Sequence, residues 1–250
     1  MQRQLLPTPK LSPNSVVLEA VQVRFSGEQD EQVEAIWREV EEIPDVETRR
    51  RLEWNGFWCG VVGTQLPPAL REQLDRPQSL LPDERGNAPT QGTRLQCRRG
   101  ARKSWSCQQM QDELNVLLCE EEGTLRGRTY QQARCLLAIR CFPEGDGSVR
   151  VQVMPEIEHG ETKPRHFGDG GLWQVRVGQE REVFERLAAE LEISPGETLI
   201  VSCTPERKGL GGRFFGVDEG RSLLLLRLVQ TQMDNLFAPE ESGQAISAGH

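Results

Sequence analysis

The strongest constraint on this chain is a period of two in its apolar residues, sustained from about Arg134 to Thr231. In RCLLAIRCF, Cys135, Leu137, Ile139 and Cys141 alternate with Leu136, Ala138 and Arg140. In SVRVQVMPEI, Val149, Val151 and Val153 alternate with Arg150, Gln152 and Met154. LWQVRV, with Trp173, Val175 and Val177 on one face, then ETLIVSC and SLLLLRLVQ, continue the theme. Successive side chains of a strand point to opposite faces, so this pattern predicts strands that share a buried side. The turn formers of PEGDG join the first two as a hairpin. The region reads as one antiparallel β module.

The N-terminal part reads differently. VVLEAVQVRF predicts a strand whose odd-numbered face (Val17, Val21, Val23, Phe25) is more apolar than the face of Leu18, Ala20 and Gln22. Ser26 and Gln29 have the spacing of a capping box. The helix that follows places Val33, Ile36, Trp37 and Val40 on one stripe, and Pro44 stops it. A second helix spans Val46 to Trp54, Asn55 and Gly56 make a turn, and Phe57 to Val62 form a short strand. PPALREQL begins a third helix with prolines where a missing N–H matters least. The expected fold class is α+β: a small β-α-α-β-α unit at 14–75, then a mainly antiparallel, sandwich-like β domain at 93–235. An extended arm (1–13), a Pro/Gly-rich linker or long loop (76–92) and a disordered tail (236–250) complete the division.

Two segments resist the pattern. HGETKPRHFGDGG (159–171) carries too many Gly, Pro and charges to continue a strand and is expected to interrupt the sheet. REVFERLAAELEI fits a helix through Val183, Phe184, Leu187 and Leu191, and a strand through Leu187, Ala189, Leu191 and Ile193; the surrounding module favours β from about Val183. SPGE, with Gly196, is a tight turn, and ERKGLGGRFFG reads as a Gly-rich β turn before a buried Phe214–Phe215 pair.

Composition narrows the function. The net charge of −8 supplies no excess cations for phosphate neutralisation, so no nucleic-acid partner is expected. The basic run RRGARK is read as a solvated turn. No stretch approaches the roughly 20 apolar residues of a membrane span, and the opening MQRQLLPTPKLSPNS lacks the apolar core of a signal peptide. Seven cysteines include no CxxC pair, which argues against a zinc knuckle or a thioredoxin-like site. Cys135, Cys141 and Cys203 read as small core residues. Cys97 and Cys107 flank RRGARKSWS and would bridge the base of a hairpin in an oxidising compartment.

Catalytic chemistry has few residues to attach to. Glu156, Glu158, His159, Glu161, His166 and Asp169 are the right types for a metal or general-acid centre, but adjacent Glu158 and His159 would point to opposite sides of a strand. A metal-dependent hydrolase built on 156–169 is the alternative reading; no cofactor, metal ligand or catalytic residue is assigned. No GxxxxGK[ST], GxGxxG or GxSxG motif occurs. The remaining idea is association: the polar strand TLRGRTYQQ, beside a strongly apolar one, suits a sheet edge that meets another chain. Arg126, Arg128, Tyr130, Gln132 and Trp173 are the candidate interface residues. Trp37, Asn55, Gly56, Pro155, Glu156, Gly196, Phe214 and Phe215 are expected to be structural.

Over roughly a hundred residues, VRVQVMPEIEHG, SPGETLIVSC, GLGGRFF and SLLLLRLVQ follow in the order and spacing of the C-terminal β domain of the secretin family, which this region resembles. RKGLGGRFF stands where the family carries a longer "VPLLGDIPLLG" text, and no clear membrane-facing hairpins precede Val149. NGFWCGVVGTQLPPAL is similar to a segment of envelope-associated proteins of planctomycete bacteria. The resemblance implies a secretin-like sheet, scaffold roles for the PEI and GETL strands, and an envelope context rather than a reaction. The function expected is a non-enzymatic structural or assembly component of a bacterial cell envelope. It would act through a protein partner or self-association, in the periplasm or outer envelope, with the cytoplasm left open.

Overall fold

The computed structural model describes residues 14–75, 92–120, 123–169, 172–217 and 220–232; for 164–169 and 172–177 it describes only the backbone. The expected arm at 1–13, nearly all of the 76–92 linker and the 236–250 tail lie outside the described residues.

The architecture is mixed α+β, with two antiparallel sheets. The first orders its strands β2 (Glu41–Glu42), β3 (Phe57–Val62), β11 (Thr198–Cys203), β13 (Gly220–Gln232), β1 (Ser15–Phe25) and β4 (Thr93–Arg98), with β12 (Gly216–Val217) folded onto β13. The second orders β10 (Ala189–Ile193), β8 (Val149–Asp169), β7 (Leu125–Pro143) and β5 (Lys103–Ser106). There β6 (Gln111–Cys119) also pairs with β7, and β9 (Leu172–Val183) with β8. The expected division between 14–75 and 93–235 runs through the middle of the first sheet. β1 lies between β13 and β4, and β3 pairs with β11 from Val62↔Thr198 to Phe57↔Cys203.

The sheets share one core. Val16, Leu18, Ala20, Phe57, Val201, Leu224 and Leu226 from the first meet Cys135, Leu137, Ile139, Val151, Leu191 and Ile193 from the second. Helices α1 (Asp30–Trp37) and α3 (Pro68–Asp75) cover the other face of the first sheet, where Val33, Ile36, Trp37 and Leu70 pack on Val23, Phe25, Ile200, Leu223 and Leu225. A strand covered on both faces must be apolar on both, which is why SLLLLRL does not alternate. Each of those leucines gains about 1.5–3 kcal/mol from full burial.

The same two-sided burial holds for β1, whose odd-numbered Val23 and Phe25 lie under the helices. Its even face enters the inter-sheet core, and a register shift between Val17 and Leu18 redirects the strand. Gln22 is no surface residue. Its Nε2 donates to Cys107 O (3.0 Å) and Ser222 Oγ (3.0 Å), and its Oε1 accepts from Trp105 Nε1 (3.0 Å).

Three expectations are corrected. The 159–171 stretch does not interrupt the sheet: β8 runs to Asp169 and pairs with β9, absorbing its irregularity in a register shift between His159 and Lys163 where Gly160 has φ 78°. Past Glu158, β8 has left β7 and its only strand neighbour among the described residues is β9. A strand with a single neighbour is where a sheet tolerates a proline such as Pro164. Strand structure is not continuous from Val183: a 3-10 turn at Glu185–Leu187 separates β9 from β10. The inward set Leu187, Ala189, Leu191 and Ile193 is nevertheless buried. GLGGRFF is a helix, α4 (Gly209–Phe215), not a β turn.

Candidate protein-interaction site

The site begins with helix α2 (Val46–Trp54). Asp45 caps it, its Oδ2 accepting from Thr48 N–H at 3.0 Å, and these hydrogen bonds hold the Asp45 carboxyl below its usual range. The helix buries only Leu52 and ends at Asn55 and Gly56, the latter at φ 80°. Against this turn sits α4. Gly211 N–H donates to Asn55 O at 2.8 Å, and a Cβ on Gly211 would lie 2.0 Å from Gly56 O. The glycines of GLGGRFF permit this approach of helix to backbone, while Phe214 and Phe215 pack edge-on against Phe57 at 5.5 and 6.3 Å between centroids.

Asn55, 3 % exposed, turns its amide onto β6: Nδ2 donates to Cys119 O at 3.0 Å and Oδ1 accepts from Cys119 N–H at 2.9 Å. Both main-chain groups of Cys119 therefore face away from β7. Main-chain groups alternate sides along an antiparallel strand, so those of Leu117, Asn115 and Glu113 also face away from β7. Among the described residues β7 is the only strand that pairs with β6. On that side β6 has no strand partner among the described residues; α4 packs beside it and Asn55 ties down its end.

A groove follows that edge. One section, of about 390 Å³, lies between Asn115, Leu117, Lys208 and Arg213. The next, of about 330 Å³, lies between Leu117, Trp54, Leu125 and Lys208. The third, of about 530 Å³, continues from Trp54 and Cys119 to Arg128, Val183 and Leu187. Trp54 (46 % exposed), Leu117 (45 %) and Leu125 (61 %) are large apolar side chains left in water along it. The Arg50 guanidinium lies 5.0 Å from the Trp54 ring centroid. An aromatic anchor, aliphatic neighbours and a charged rim are the composition of a protein contact surface.

The residues singled out from sequence are distributed around this groove. Leu125–Gln131 pairs with β6 and so has a strand neighbour; the open edge belongs to β6 instead. Arg126 is exposed and pairs with Glu120 at 3.3 Å. Arg128 forms an ion pair with Glu182, and Tyr130, which is buried, donates from its hydroxyl to Glu182 Oε2 at 2.8 Å. Burial, then the Glu182 hydrogen bond, pushes the Tyr130 pKa up to about 12. Gln132 has φ 49°, and its carbonyl accepts from Gln179 Nε2 at 2.9 Å. Trp173 stands opposite Gly168 in the β8–β9 ladder; its side chain lies outside the described residues.

Trp37 packs tilted against Trp58, at 5.0 Å between centroids and 58° between planes. Pro155 stands opposite Leu137, its carbonyl accepting from Phe184 N–H at 3.1 Å. Gly196 takes φ 90° in the turn before β11 and donates to Leu228 O at 3.0 Å.

Two acidic residues of the alternative metal-site reading, Glu156 and Glu158, are engaged with arginines. Glu156, 1 % exposed, accepts from Arg102 Nε at 2.9 Å and lies 3.5 Å from Arg181 Nε. Arg102 belongs to the basic run, whose expected solvated turn therefore holds a buried carboxylate. Glu158 pairs with Arg134 and with Arg181 Nη2, the latter at 3.0 Å. Burial raises the Glu158 pKa, but those two arginines outweigh it and hold the carboxyl below its usual value. His159 faces Tyr130 at 4.9 Å between ring centroids, and Glu161 pairs with Lys163. The side chains of His166 and Asp169 lie outside the described residues. No group of three or more His, Cys, Asp or Glu that could hold a metal ion occurs among the described residues.

Sequence reasoning missed Trp54, Leu117 and Leu125. The available signal was a tryptophan on a helix, VETRRRLEW, with almost no apolar stripe to join, and the doublet Leu117–Leu118, one of which must leave the buried face. Compared with protein families, with curated proteins and with solved structures, the chain matches none.

Proposed function

We propose that this chain is a non-enzymatic assembly component that acts through protein–protein contacts at the β6 edge that has no strand partner among the described residues, in the cell-envelope setting implied by the likeness of NGFWCGVVGTQLPPAL to envelope-associated proteins. The observation that carries the reading is the coincidence of an unpaired strand edge with an exposed Trp54–Leu117–Leu125 strip. Open edges offer main-chain donors and acceptors to an incoming strand, and adjoining pockets for alternate side chains give that addition specificity. Exposed apolar side chains grouped around such an edge favour a partner over water. The absence, among the described residues, of a helix long and apolar enough to cross a membrane is consistent with attachment through protein contacts.

Light scattering over a concentration series tests this on the full chain, alone and with envelope extract. A discrete oligomer, or a stable complex with one envelope protein, that disappears in Leu117→Lys supports the reading. A strict monomer that binds nothing, or an association indifferent to Leu117→Lys, overturns it.

A further inference from the structure

Taking the β6 groove as the contact surface, as the proposed function does, we propose that its occupant is the C-terminal segment of a second copy of this chain. Residues 233–241 of that copy lie along the groove, antiparallel to β6.

The groove has a chemical polarity. Its first section, at Asn115 and Leu117, is walled by Arg207, Lys208 and Arg213 and by no carboxylate. Arg207 is held by Asp30, and Lys208 stands 3.8 Å from Glu206. Arg213 is exposed and pairs with no carboxylate among the described residues. The next section turns apolar, with Trp54, Leu117 and Leu125 along it. A matching occupant carries large apolar side chains at one end and carboxylates a few residues further on.

The chain has such a segment directly after β13. MDNLFAPEE, residues 233–241, follows Gln232 and lies outside the described residues. It sets Leu236 and Phe237 ahead of Glu240 and Glu241, with Ala238 and Pro239 between. Leu236 to Glu240 covers the same interval as Cys119 to Asn115, about 13 Å in extended chain. Run antiparallel to β6, the segment brings Leu236 and Phe237 to Trp54 and Leu125, and Glu240 and Glu241 to Lys208 and Arg213.

The segment has to come from a second copy. Arg207 is bound to Asp30, and Asp30 to Arg221 near the start of β13. The strand from Arg221 to its last residue, Gln232, spans about 36 Å of extended chain. Leu236 reaches about 14 Å beyond Gln232, and Glu240 about 28 Å. Its own groove is therefore out of range. A contact between two different surfaces closes as a reciprocal pair or a ring, and otherwise leaves a groove and a tail free at the ends of an open assembly.

The test is light scattering on the full chain with the two faces reversed in charge separately. One variant carries Lys208→Glu and Arg213→Glu, the other Glu240→Lys and Glu241→Lys. Each alone is expected to self-associate about tenfold more weakly than wild type. An equimolar mixture is expected to recover association, because each groove then meets a complementary tail. Leu236→Ser with Phe237→Ser abolishes self-association, and that protein binds a labelled peptide of residues 231–243 unless Leu117→Lys is added. Association, with itself or with an envelope protein, that Leu117→Lys removes but the tail substitutions leave unchanged overturns this proposal and leaves the interaction reading standing. A monomer at every concentration that takes up no peptide also overturns it, and if no envelope protein binds either, the interaction reading falls with it. No recovery in a mixture of two folded charge variants overturns it as well. If the Lys208→Glu, Arg213→Glu protein does not fold, the tail substitutions and the peptide decide the matter.

Discussion

Asn55 and Cys119, 64 positions apart in sequence, are joined by both ends of one side-chain amide: Nδ2 to the Cys119 carbonyl at 3.0 Å and the Cys119 N–H to Oδ1 at 2.9 Å. The amide occupies the place a neighbouring strand would take, so the end of α2 terminates the edge of β6. Beyond it β6 has no second strand partner among the described residues, and Trp54 and Leu117 stand beside that edge.

Removing this brace should loosen β6 first. Asn55→Ala leaves the outward main-chain groups of Cys119 without their partner at a part-buried position, at a loss of about 1–3 kcal/mol. Asn55→Asp keeps the acceptor and loses the donor, and should fall between. Urea midpoints check the order; an unchanged midpoint for Asn55→Ala would show that the edge is held by something else.

Gly211→Ala should be among the most damaging single-methyl additions. The new Cβ would meet Gly56 O at 2.0 Å and Gly56 C at 2.3 Å, backbone atoms that cannot rotate away. α4 would have to lift from the Asn55–Gly56 turn, disturbing the Phe57–Phe214–Phe215 packing. A destabilisation of about 2–4 kcal/mol is expected by thermal or urea unfolding. A stable Gly211→Ala protein would contradict the close packing of α4 on that turn.

Glu156 is the buried partner of Arg102 and Arg181. Breaking a buried ion pair from one side strands the other charge, but Arg102 is 27 % exposed, so Glu156→Gln should lose on the order of 2–3 kcal/mol, below the full buried-pair figure. Replacing Glu156 and Arg102 together by methionine should recover part of that loss, since the remaining cation, Arg181, is one-third exposed and keeps its pairing with Glu158. A double variant as unstable as the sum of the singles would mean the two residues act independently.

The acid limb of stability should depend on Glu158. Its folded-state pKa is depressed, so its contribution is present above the ordinary glutamate pKa and disappears as pH falls through the lower folded value. Stability measured from neutral pH downward should fall below about pH 4.3. Glu158→Gln should be less stable than wild type at neutral pH, with a shallower acid slope. Parallel pH profiles for the two proteins would remove Glu158 from the account.

Trp54 and Leu117 should matter to association more than to folding, because both are nearly half exposed. Trp54→Ala and Leu117→Lys are each expected to weaken assembly at least tenfold, about 1.4 kcal/mol. Their melting temperatures should stay close to wild type. Loss of fold in step with loss of assembly would mark both residues as structural.

Much of the local structure is legible in the residues themselves. Val46–Trp54, Phe57–Val62 and Thr198–Cys203 occupy the intervals that caps, turns and alternation predict. Each is set within a short window: Asp45 caps its own helix, and Gly56 and Gly196 take the positive φ their turns need. The errors have physical sources. β8 continues through Gly160 and Pro164 because β9 supplies a ladder there, and α4 is helical despite its glycines because the Asn55–Gly56 turn gives it a surface to press on. Propensity does not register a partner that lies far away in sequence.

Periodicity and turn chemistry act between near neighbours, so the residues alone are enough to place most helices and strands and the side chains that seek burial; α4 and the far half of β8 are the exceptions. Tertiary pairing alone places β1 between β13 and β4, joins Gln22 to Trp105 and Ser222, and leaves β6 with no second strand partner among the described residues. These follow from which strands find each other across long stretches of chain. That choice is made by the joint burial of both faces of a sheet, a property no single segment carries.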